Sequence, residues 1–366
     1  MLLFDFGPVY IKAAIVFSEN ETLAKNFSDI IKKNSEELDI FNLNLTITYK
    51  NYNLFFFKIN LFRLEEFKSC KGLEIVKGIL NEFRDLYSLN EIQTAYYCGI
   101  LSEKLETFIL VTFNVRCVKI GHLNQLSIYG LDYISQNVPC CIFNLPGQSI
   151  YNLVQVGHKL NEVTQKNYTN LKDSLYPFLM ANVSEGTSIY RVDSPSKFIR
   201  VGGSTFGITT YWSLVSLSCG YDDPEKAVKD AIKGNNELID LSVGDIYGGT
   251  YEQFNLNSSL IASSFGKLKN VKDIKDVKKE DISRSLMTLM CAAISLTTAL
   301  IAKNSGVNKV IVVGNPFECL EFMQMIQMVT NYASGDTVDS YFSDYAPFIN
   351  IIGMCKQLEL ENIFFN

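Results

Sequence analysis

The chain has 366 residues, of which 47% are hydrophobic and 20% charged, and its formal net charge is −6. This length is enough for two domains of ordinary size. The negative charge argues against a large nucleic-acid surface, which needs a basic face, so we expect no nucleic-acid partner. No run of eighteen apolar residues occurs, which predicts no membrane span.

The cysteines and the first residues bear on cellular location. The nine cysteines lack the spacing of metal ligands, and only Cys140 and Cys141 are adjacent. This usage is typical of reduced thiols in a cytoplasmic protein. Residues 1–7 have no basic segment, so we expect no cleaved signal peptide. His122 and His158 lie near no Ser or Cys motif, and we interpret them as surface or core residues.

Hydrophobic periodicity predicts a strand-rich opening followed by helices. The first two apolar runs are separated by a Gly-Pro turn signal, and a later segment alternates and is dense in Thr, Tyr, Phe and Ile. The predicted strands lie at 2–6, 9–17, within 43–62, and 94–98, and the predicted helices at 64–87 and 124–136.

The second half repeats this organisation after a polar segment. Residues from about 145 to 175 have no clear period, which predicts an inserted loop or an interdomain connection. The next predicted strands lie at 177–183, 188–192, 198–201 and 310–313, and the predicted helices at 224–233, 280–303 and 318–332. The pattern predicts a mixed α/β protein with two lobes. A single dinucleotide-binding domain is the alternative, although no Gly-x-Gly-x-x-Gly follows the last strand.

Two sequence blocks carry a family resemblance. The first is Arg200–Gly207, and the second is Asp245–Gly249 with Tyr251 and Phe254, followed by Ala262–Gly266. They resemble the eukaryotic-type (type II) pantothenate kinases, an ATP-dependent family that opens coenzyme A biosynthesis. The resemblance covers roughly residues 1–17, 94–136 and 176–355 and is most specific in 177–267.

The resemblance implies a fold and a domain organisation. It implies the two-lobed actin-like ATPase fold, with two ribonuclease H-like lobes and ATP between them. Residues 1–175 would form the first lobe, including the polar segment at about 145–175. Residues 176–366 would form the second lobe, which carries the substrate and dimer-interface motifs.

The resemblance also implies a site for ATP and Mg²⁺. Asp5, Gly7 and Lys12 match the family's phosphate hairpin, and Asp5 is the implied metal ligand. Pro8 replaces the second glycine of that hairpin and removes one backbone N–H donor. The remaining implied ATP or phosphate positions are Gly99, the single glycine left of a family cluster of three, and Gly186, Gly314 and Asn315.

The substrate side resembles the family more closely. Arg200 and Ser188 match positions that the family uses on pantothenate. In the family, the block formed by Asp245–Gly249 and Ala262–Gly266 supports a dimer interface and an acyl-CoA pocket. The resemblance therefore implies acetyl-CoA or CoA as a feedback ligand, and a homodimer or a heterodimer with a paralogue. The implied substrate and interface residues are Gly202, Gly203, Ser204, Tyr247, Gly248, Tyr251, Ala262 and Phe265.

One catalytic group of the family has no counterpart. The family's general base is a Glu at the start of a helix, and its position falls on Leu123 or, with a two-residue gap, on Gln125. Neither side chain can accept a proton, and losing such a base typically costs about two to four orders of magnitude in rate. Glu185 also places an acid where a polyanion is expected.

Two functional hypotheses follow from these matches and departures. The first is ATP-dependent phosphorylation of pantothenate. The alternative is a catalytically impaired subunit that pairs with an active paralogue, or a regulator that binds acyl-CoA.

Overall fold

The structure is a computed structural model that describes residues 2–6, 10–18, 46–49, 52–60, 81, 94–99, 106, 110, 114–145, 165–254, 256–314 and 319–361. Contacts within the chain divide it into two compact units. Unit 1 comprises Met1–Pro139 and Pro347–Asn366, and unit 2 comprises Cys140–Ala346. Each unit is built around one large mixed sheet.

Fifteen strands and seven α-helices lie within the described residues. The strands are β1 (Leu2–Phe6), β2 (Tyr10–Ser18), β3 (Thr46–Tyr49), β4 (Tyr52–Asn60), β5 (Thr94–Gly99), β6 (Arg116–Lys119), β7 (Ile142–Asn144), β8 (Asn167–Tyr168), β9 (Phe178–Val183), β10 (Thr187–Ser194), β11 (Lys197–Ser204), β12 (Leu241–Ser242), β13 (Ile261–Ser263), β14 (Lys309–Gly314) and β15 (Asp339–Ser343). The helices are α1 (Leu123–Asn137), α2 (Ile208–Cys219), α3 (Pro224–Lys233), α4 (Val243–Tyr247), α5 (Lys279–Asn304), α6 (Leu320–Ser334) and α7 (Ile349–Leu360).

The sheet of unit 1 has the order β3-β4-β2-β1-β5-β6. Strand β1 is antiparallel to β2 and parallel to β5, and β6 continues the parallel part. All five residues of β1 are buried, because this central strand is covered on both faces. Helices α1 and α7 pack against each other, and α7 also packs against β1 and β5.

The sheet of unit 2 has the order β11-β10-β9-β14-β15-β7-β8. Strand β9 is antiparallel to β10 and parallel to β14, and β15 continues the parallel part. Helix α5 packs against α2, α3 and α6 and buries fifteen of its residues. The buried aromatic core of this unit includes Phe178, Tyr211 and Phe322.

The two sheets share one topology. Strands β4-β2-β1-β5-β6 of unit 1 and β11-β10-β9-β14-β15 of unit 2 both place three antiparallel strands beside two parallel ones. This is the order of a ribonuclease H-like domain, so the predicted duplication and the actin-like fold class are confirmed. The alternative of one dinucleotide-binding domain is wrong, because that fold has a mostly parallel sheet.

The predicted elements can be compared with those observed. The predicted strands correspond to β1 to β5, β9 to β11 and β14, and the predicted helices that can be compared correspond to α1, α3, α5 and α6. The helix predicted at 64–87 falls outside the described residues, apart from residue 81. Within the polar segment 145–175, Asn167–Tyr168 forms a short strand that pairs with β7.

The lobe boundary predicted at residues 175 and 176 stays a prediction. The contact-based division falls between Pro139 and Cys140, and it assigns residues 347–366 to unit 1. The reason for this assignment is that α7 packs on α1, while β7 pairs with β15 of unit 2.

Helix α5 has the length and apolar composition of a membrane span, and it alone among the described helices passes that test. The core helix of a globular protein passes it as well. Because 61% of its most apolar window is buried inside the structure, this evidence for a span is weak.

Candidate functional site

Asp5 lies in the buried centre of unit 1 and has three polar neighbours. Only 4% of Asp5 is exposed to solvent. Lys12 Nζ lies 3.8 Å from Asp5 Oδ2, and Asn350 Nδ2 donates to the same oxygen over 3.1 Å. The Cys98 thiol donates toward Asp5 Oδ1 over 3.5 Å. Sheet register explains two of these contacts, because Asp5 is the cross-strand partner of both Lys12 and Cys98.

The neighbours of Asp5 are themselves buried. Lys12 is 8% exposed, and burial raises the pKa of the Cys98 thiol well above its usual range. The thiol therefore stays protonated at neutral pH and acts as a weak donor. Asp5 and Gly99 stand near the carboxyl ends of the parallel strands β1 and β5, which is the edge where α/β sheets bind ligands.

Two of the predicted ATP-binding glycines have a packing role. Gly99 has φ +89° and Gly314 has φ +91°. A Cβ at Gly99 would lie 2.2 Å from Phe6 O, and one at Gly314 would lie 2.0 Å from Val183 O. Both positions require glycine for backbone reasons alone. Gly7 and Asn315 lie outside the described residues.

An apolar pocket opens beside Gly314 in unit 2. It lies at the carboxyl ends of β14 and β15 and against α6, and it is a small pocket, with a cavity volume of about 30 Å³, that opens to solvent. Apolar pockets with a few polar groups at the rim are typical of cofactor sites. Its lining residues are Val312, Gly314, Phe322, Met323, Ile326, Phe342 and Ala346.

The turn that contains Gly186 is packed against the start of α2. Ser184 N donates to Gly186 O, and Ile208 N donates to Ser184 O, both over 2.8 Å. A Cβ at Gly207 would lie 2.3 Å from Glu185 O, so the two segments are in close contact. The Glu185 carboxylate is exposed and accepts from Ser184 Oγ over 2.6 Å.

The structure brings together the predicted substrate residues of β10 and β11. Ser188 is the cross-strand partner of Gly203, and Tyr190 is the partner of Arg200. The Arg200 guanidinium lies over Gly203, since a Cβ there would be 2.7 Å from Nη2. Arg200 is exposed, so its charge is available to an anion. The adjacent Gly202 lies against Ile301 of α5, where a Cβ would be 2.4 Å from Cδ1, and Ser204 Oγ accepts from Phe206 N over 3.1 Å.

The Asp245 motif forms the short helix α4. Ser242 and Asp245 form a reciprocal capping box, which satisfies the free amides at the helix start. Lys267 Nζ lies 2.8 Å from Asp245 Oδ2. This lysine, together with hydrogen bonds from Ser242, lowers the pKa of Asp245 to about 2.

An exposed aromatic cluster follows α4. Gly248 ends the helix in the left-handed conformation, with φ +78°. Tyr247 stacks on Tyr251 with ring centroids 4.5 Å apart, and Tyr251 contacts Phe254. Tyr247 is 57% exposed and Phe254 is 61% exposed, so this cluster presents an apolar surface to solvent.

Phe265 is held in position by Asp240, which the sequence did not single out. Phe265 has φ +62°, and its N–H donates to Asp240 Oδ1 over 2.8 Å. Asp240 is fully buried and also accepts from Ser285 and from Asn236. The nearby Ala262 is exposed on β13.

The two positions predicted for the family's base lie at the start of α1. Leu123 is its first residue, and Gln125 Nε2 donates to the Tyr129 hydroxyl over 2.8 Å. His122 precedes the helix as its N-cap and is exposed. Among the described residues, no group of three or more His, Cys, Asp or Glu side chains could hold a metal ion.

Together, these features define a class: a two-unit α/β protein of the actin-like fold, with an apolar pocket at the strand ends of unit 2. The sequence matches the Fumble family over residues 4–357. The chain therefore belongs to that family, the type II pantothenate kinases.

Similar proteins agree with this family. The chain is 31% identical over 230 residues to a protein named pantothenate kinase from Schizosaccharomyces pombe, covering 62% of this chain and 54% of that protein. It is 32% identical over 228 residues to pantothenate kinase 1 of Arabidopsis thaliana, covering 61% and 55%. The matches thus span little more than half the length of these relatives.

A solved structure is also similar over the whole chain. It is the activator of the 2-hydroxyisocaproyl-CoA dehydratase from Clostridium difficile with bound ADPNP, at 9% identity and a TM-score of 0.43. The match covers 100% of this chain and 98% of that one.

Proposed function

We propose that this chain binds ATP and transfers its terminal phosphoryl group to pantothenate. Membership of the type II pantothenate kinase family supports this, and so do relatives named pantothenate kinase. The observation that carries the proposal is the position of the apolar pocket beside Gly314, because it lies at the carboxyl ends of parallel strands, the edge at which α/β sheets bind ligands.

The residues around Asp5 fit a magnesium ion that is bound mainly through the nucleotide. In kinases, Mg²⁺ usually takes one or two carboxylates and completes its shell with phosphate oxygens and water. Asp5 offers one carboxylate, and its Oδ1 has a thiol as its neighbour. A bound Mg²⁺ would neutralise part of the negative charge of the phosphates.

Arg200 and Ser188 are the proposed contacts for pantothenate, which carries a carboxylate. Arg200 is exposed and lies over the backbone of Gly203, the cross-strand partner of Ser188. A guanidinium can bind a carboxylate with two parallel hydrogen bonds. This proximity supports a role for both side chains in binding one anionic substrate.

Phosphoryl transfer depends mainly on positioning and electrostatic stabilisation, with little covalent work by the protein. A chain without the family's glutamate therefore still transfers the phosphoryl group, at a rate about two to four orders of magnitude lower than with the base. The impaired-subunit alternative stays a prediction, and no described contact favours it.

Pairing with a second subunit, feedback by acetyl-CoA or CoA, and a cytoplasmic location belong to the same proposal. The exposed Tyr247 and Phe254 support a protein or ligand contact at this surface, because clustered apolar side chains mark such sites. Homodimer and heterodimer are distinguished by native mass analysis of the chain purified from its source.

The test is an assay of the pure chain with ATP, Mg²⁺ and labelled pantothenate. We expect slow formation of 4′-phosphopantothenate, and a much smaller signal from the Arg200→Ala variant. A parallel calorimetric titration with ATP measures nucleotide binding separately. Absence of both turnover and ATP binding, with or without a co-purified partner, contradicts the proposal.

A further inference from the structure

Helices α1 and α7 cross at a point where neither has room for a side chain. A Cβ at Gly130 would lie 2.1 Å from Ile349 O, and a Cβ at Gly353 would lie 1.9 Å from Leu126 O. Each helix therefore places a glycine against a carbonyl of the other. This close approach fixes the position of Asn350, the neighbour of Ile349, relative to α1.

At this crossing, Ser127 sets the orientation of the Asn350 amide. Ser127 is 1% exposed, and its hydroxyl lies 2.6 Å from Asn350 Oδ1 and 3.0 Å from Leu123 O. One hydroxyl proton serves one of these acceptors, and the contact with Asn350 is the shorter. Because the amide oxygen accepts from Ser127, the amide nitrogen is directed to Asp5 Oδ2, 3.1 Å away.

The two oxygens of Asp5 are therefore unequal. Oδ2 receives the Asn350 amide and the Lys12 ammonium, which are strong donors. Within the described part of the chain, the Cys98 thiol donates to Oδ1 over 3.5 Å. A thiol is a weak donor, so Oδ1 keeps most of its capacity to bind a ligand.

We propose that Asn350, oriented by Ser127, is a positioning residue that holds Asp5 so that Oδ1, with only a weak thiol donor, can bind a metal–nucleotide complex. The inference rests on the proposed function, because it takes MgATP as the ligand. It assigns a role to a side chain of the last helix, 345 residues from its partner along the chain.

The test compares the affinity for ATP in Mg²⁺ with that in EDTA, by calorimetry, for Asn350→Leu and Asn350→Asp. Leucine has a similar size but no donor, and aspartate replaces the donor with a second carboxylate. We expect both variants to bind MgATP at least about tenfold more weakly, since hydrogen bonds to charged groups are among the stronger ones. The affinity for ATP in EDTA and the KM for pantothenate should stay within about twofold, a split that general loss of structure would not produce.

A matched pair on α1 provides the control. Ser127→Ala frees the Asn350 amide to rotate and should weaken MgATP binding by about threefold. Ser135 lies on the same helix, is 7% exposed, and donates to Asp132 O over 2.8 Å. Ser135→Ala should therefore leave MgATP binding unchanged.

The outcomes separate this inference from the proposed function. If the wild type binds ATP and folded Asn350→Leu shows the same Mg²⁺ dependence, the positioning role is wrong and the function stands. If the wild type binds no ATP under either condition, both are overturned. If Asn350→Asp fails to fold, Asn350→Leu decides.

Discussion

The two units share one strand order but carry different side chains at equivalent positions. In unit 1, the cross-strand partners of Asp5 are Lys12 on β2 and Cys98 on β5. In unit 2, Asn182 stands where Asp5 does, and its partners are Ser188 and Val313. Unit 1 thus buries an ion pair at this row of its sheet, and unit 2 places neutral residues there.

The neighbouring glycines are the same in both units. Phe6 pairs with Gly99, and Val183 pairs with Gly314. The φ angles of the two glycines, +89° and +91°, are nearly the same. The close backbone contacts of the fold therefore require glycine at both strand ends. The residues at the Asp5 and Asn182 positions can differ, because their side chains depend on the chemistry of each unit.

The largest expected effect separates the two polar rows. Lys12→Met removes the cationic partner of a buried carboxylate, and we expect a loss of about 3–5 kcal/mol in the free energy of unfolding. Ser188→Ala at the equivalent position of unit 2 should cost less than about 1 kcal/mol. Urea unfolding measures both. Equal losses would show that the buried pair adds nothing to unit 1.

The glycine substitutions test the shared feature. Gly99→Ala and Gly314→Ala each force a Cβ against a carbonyl at positive φ, and we expect about 2–4 kcal/mol of destabilisation from each. Gly335 is the control, because it has φ +68° with nothing within 4 Å of a Cβ. Gly335→Ala should cost only about 1 kcal/mol. A similar cost at all three positions would remove close contact as the reason for these glycines.

Substitution of Arg200 tests whether unit 2 binds pantothenate. Arg200→Ala should lower kcat/KM for pantothenate by about 10- to 100-fold, because an anionic substrate loses a charged donor. Thermal unfolding should be unchanged, since Arg200 is exposed. Lys197→Ala on the same strand is the control and should leave kcat/KM unaltered. Equal effects of the two substitutions would point to general charge and not to a specific contact.

The smallest expected effect concerns the exposed ion pair of unit 2, in contrast to the buried pair of unit 1. Lys267 and the hydrogen bonds from Ser242 lower the pKa of Asp245 to about 2 from an ordinary 3.8, so the Lys267 pair stabilises the folded state above about pH 4. This contribution is lost as pH falls through 2. The stability difference between wild type and Lys267→Met should therefore shrink between pH 5 and pH 2.

Lys269 provides the matching control for that measurement. It is exposed two residues further along the chain, and Lys269→Met should have little effect at either pH. A difference for Lys267→Met that is the same at pH 2 and at pH 5 would contradict the assigned role of Asp245.

Much of the fold could be predicted from the sequence because it is locally encoded. Apolar runs bounded by turn residues located β1, β2, β9 and β14, and helical spacing located α1 and α5. The repeated order of strands and helices indicated the duplication. The return of α7 to unit 1 could not be predicted, because it depends on packing between helices far apart along the chain.

The candidate site was predictable only in part. Arg200, Ser188 and Gly203 are neighbours in a hairpin, so sequence proximity already grouped them. Asp240 was missed, since a lone aspartate in an apolar segment gives no sign that it will accept the Phe265 amide.

The sequence by itself determined the family, the order of most strands and helices, and the glycines at the strand ends, because these follow from local propensity and short motifs. Only the tertiary structure decided what surrounds Asp5. Ser127 and Asn350 are 223 residues apart, and they meet because two glycines let their helices approach closely. Such a contact depends on the space between backbones, which no single stretch of sequence specifies.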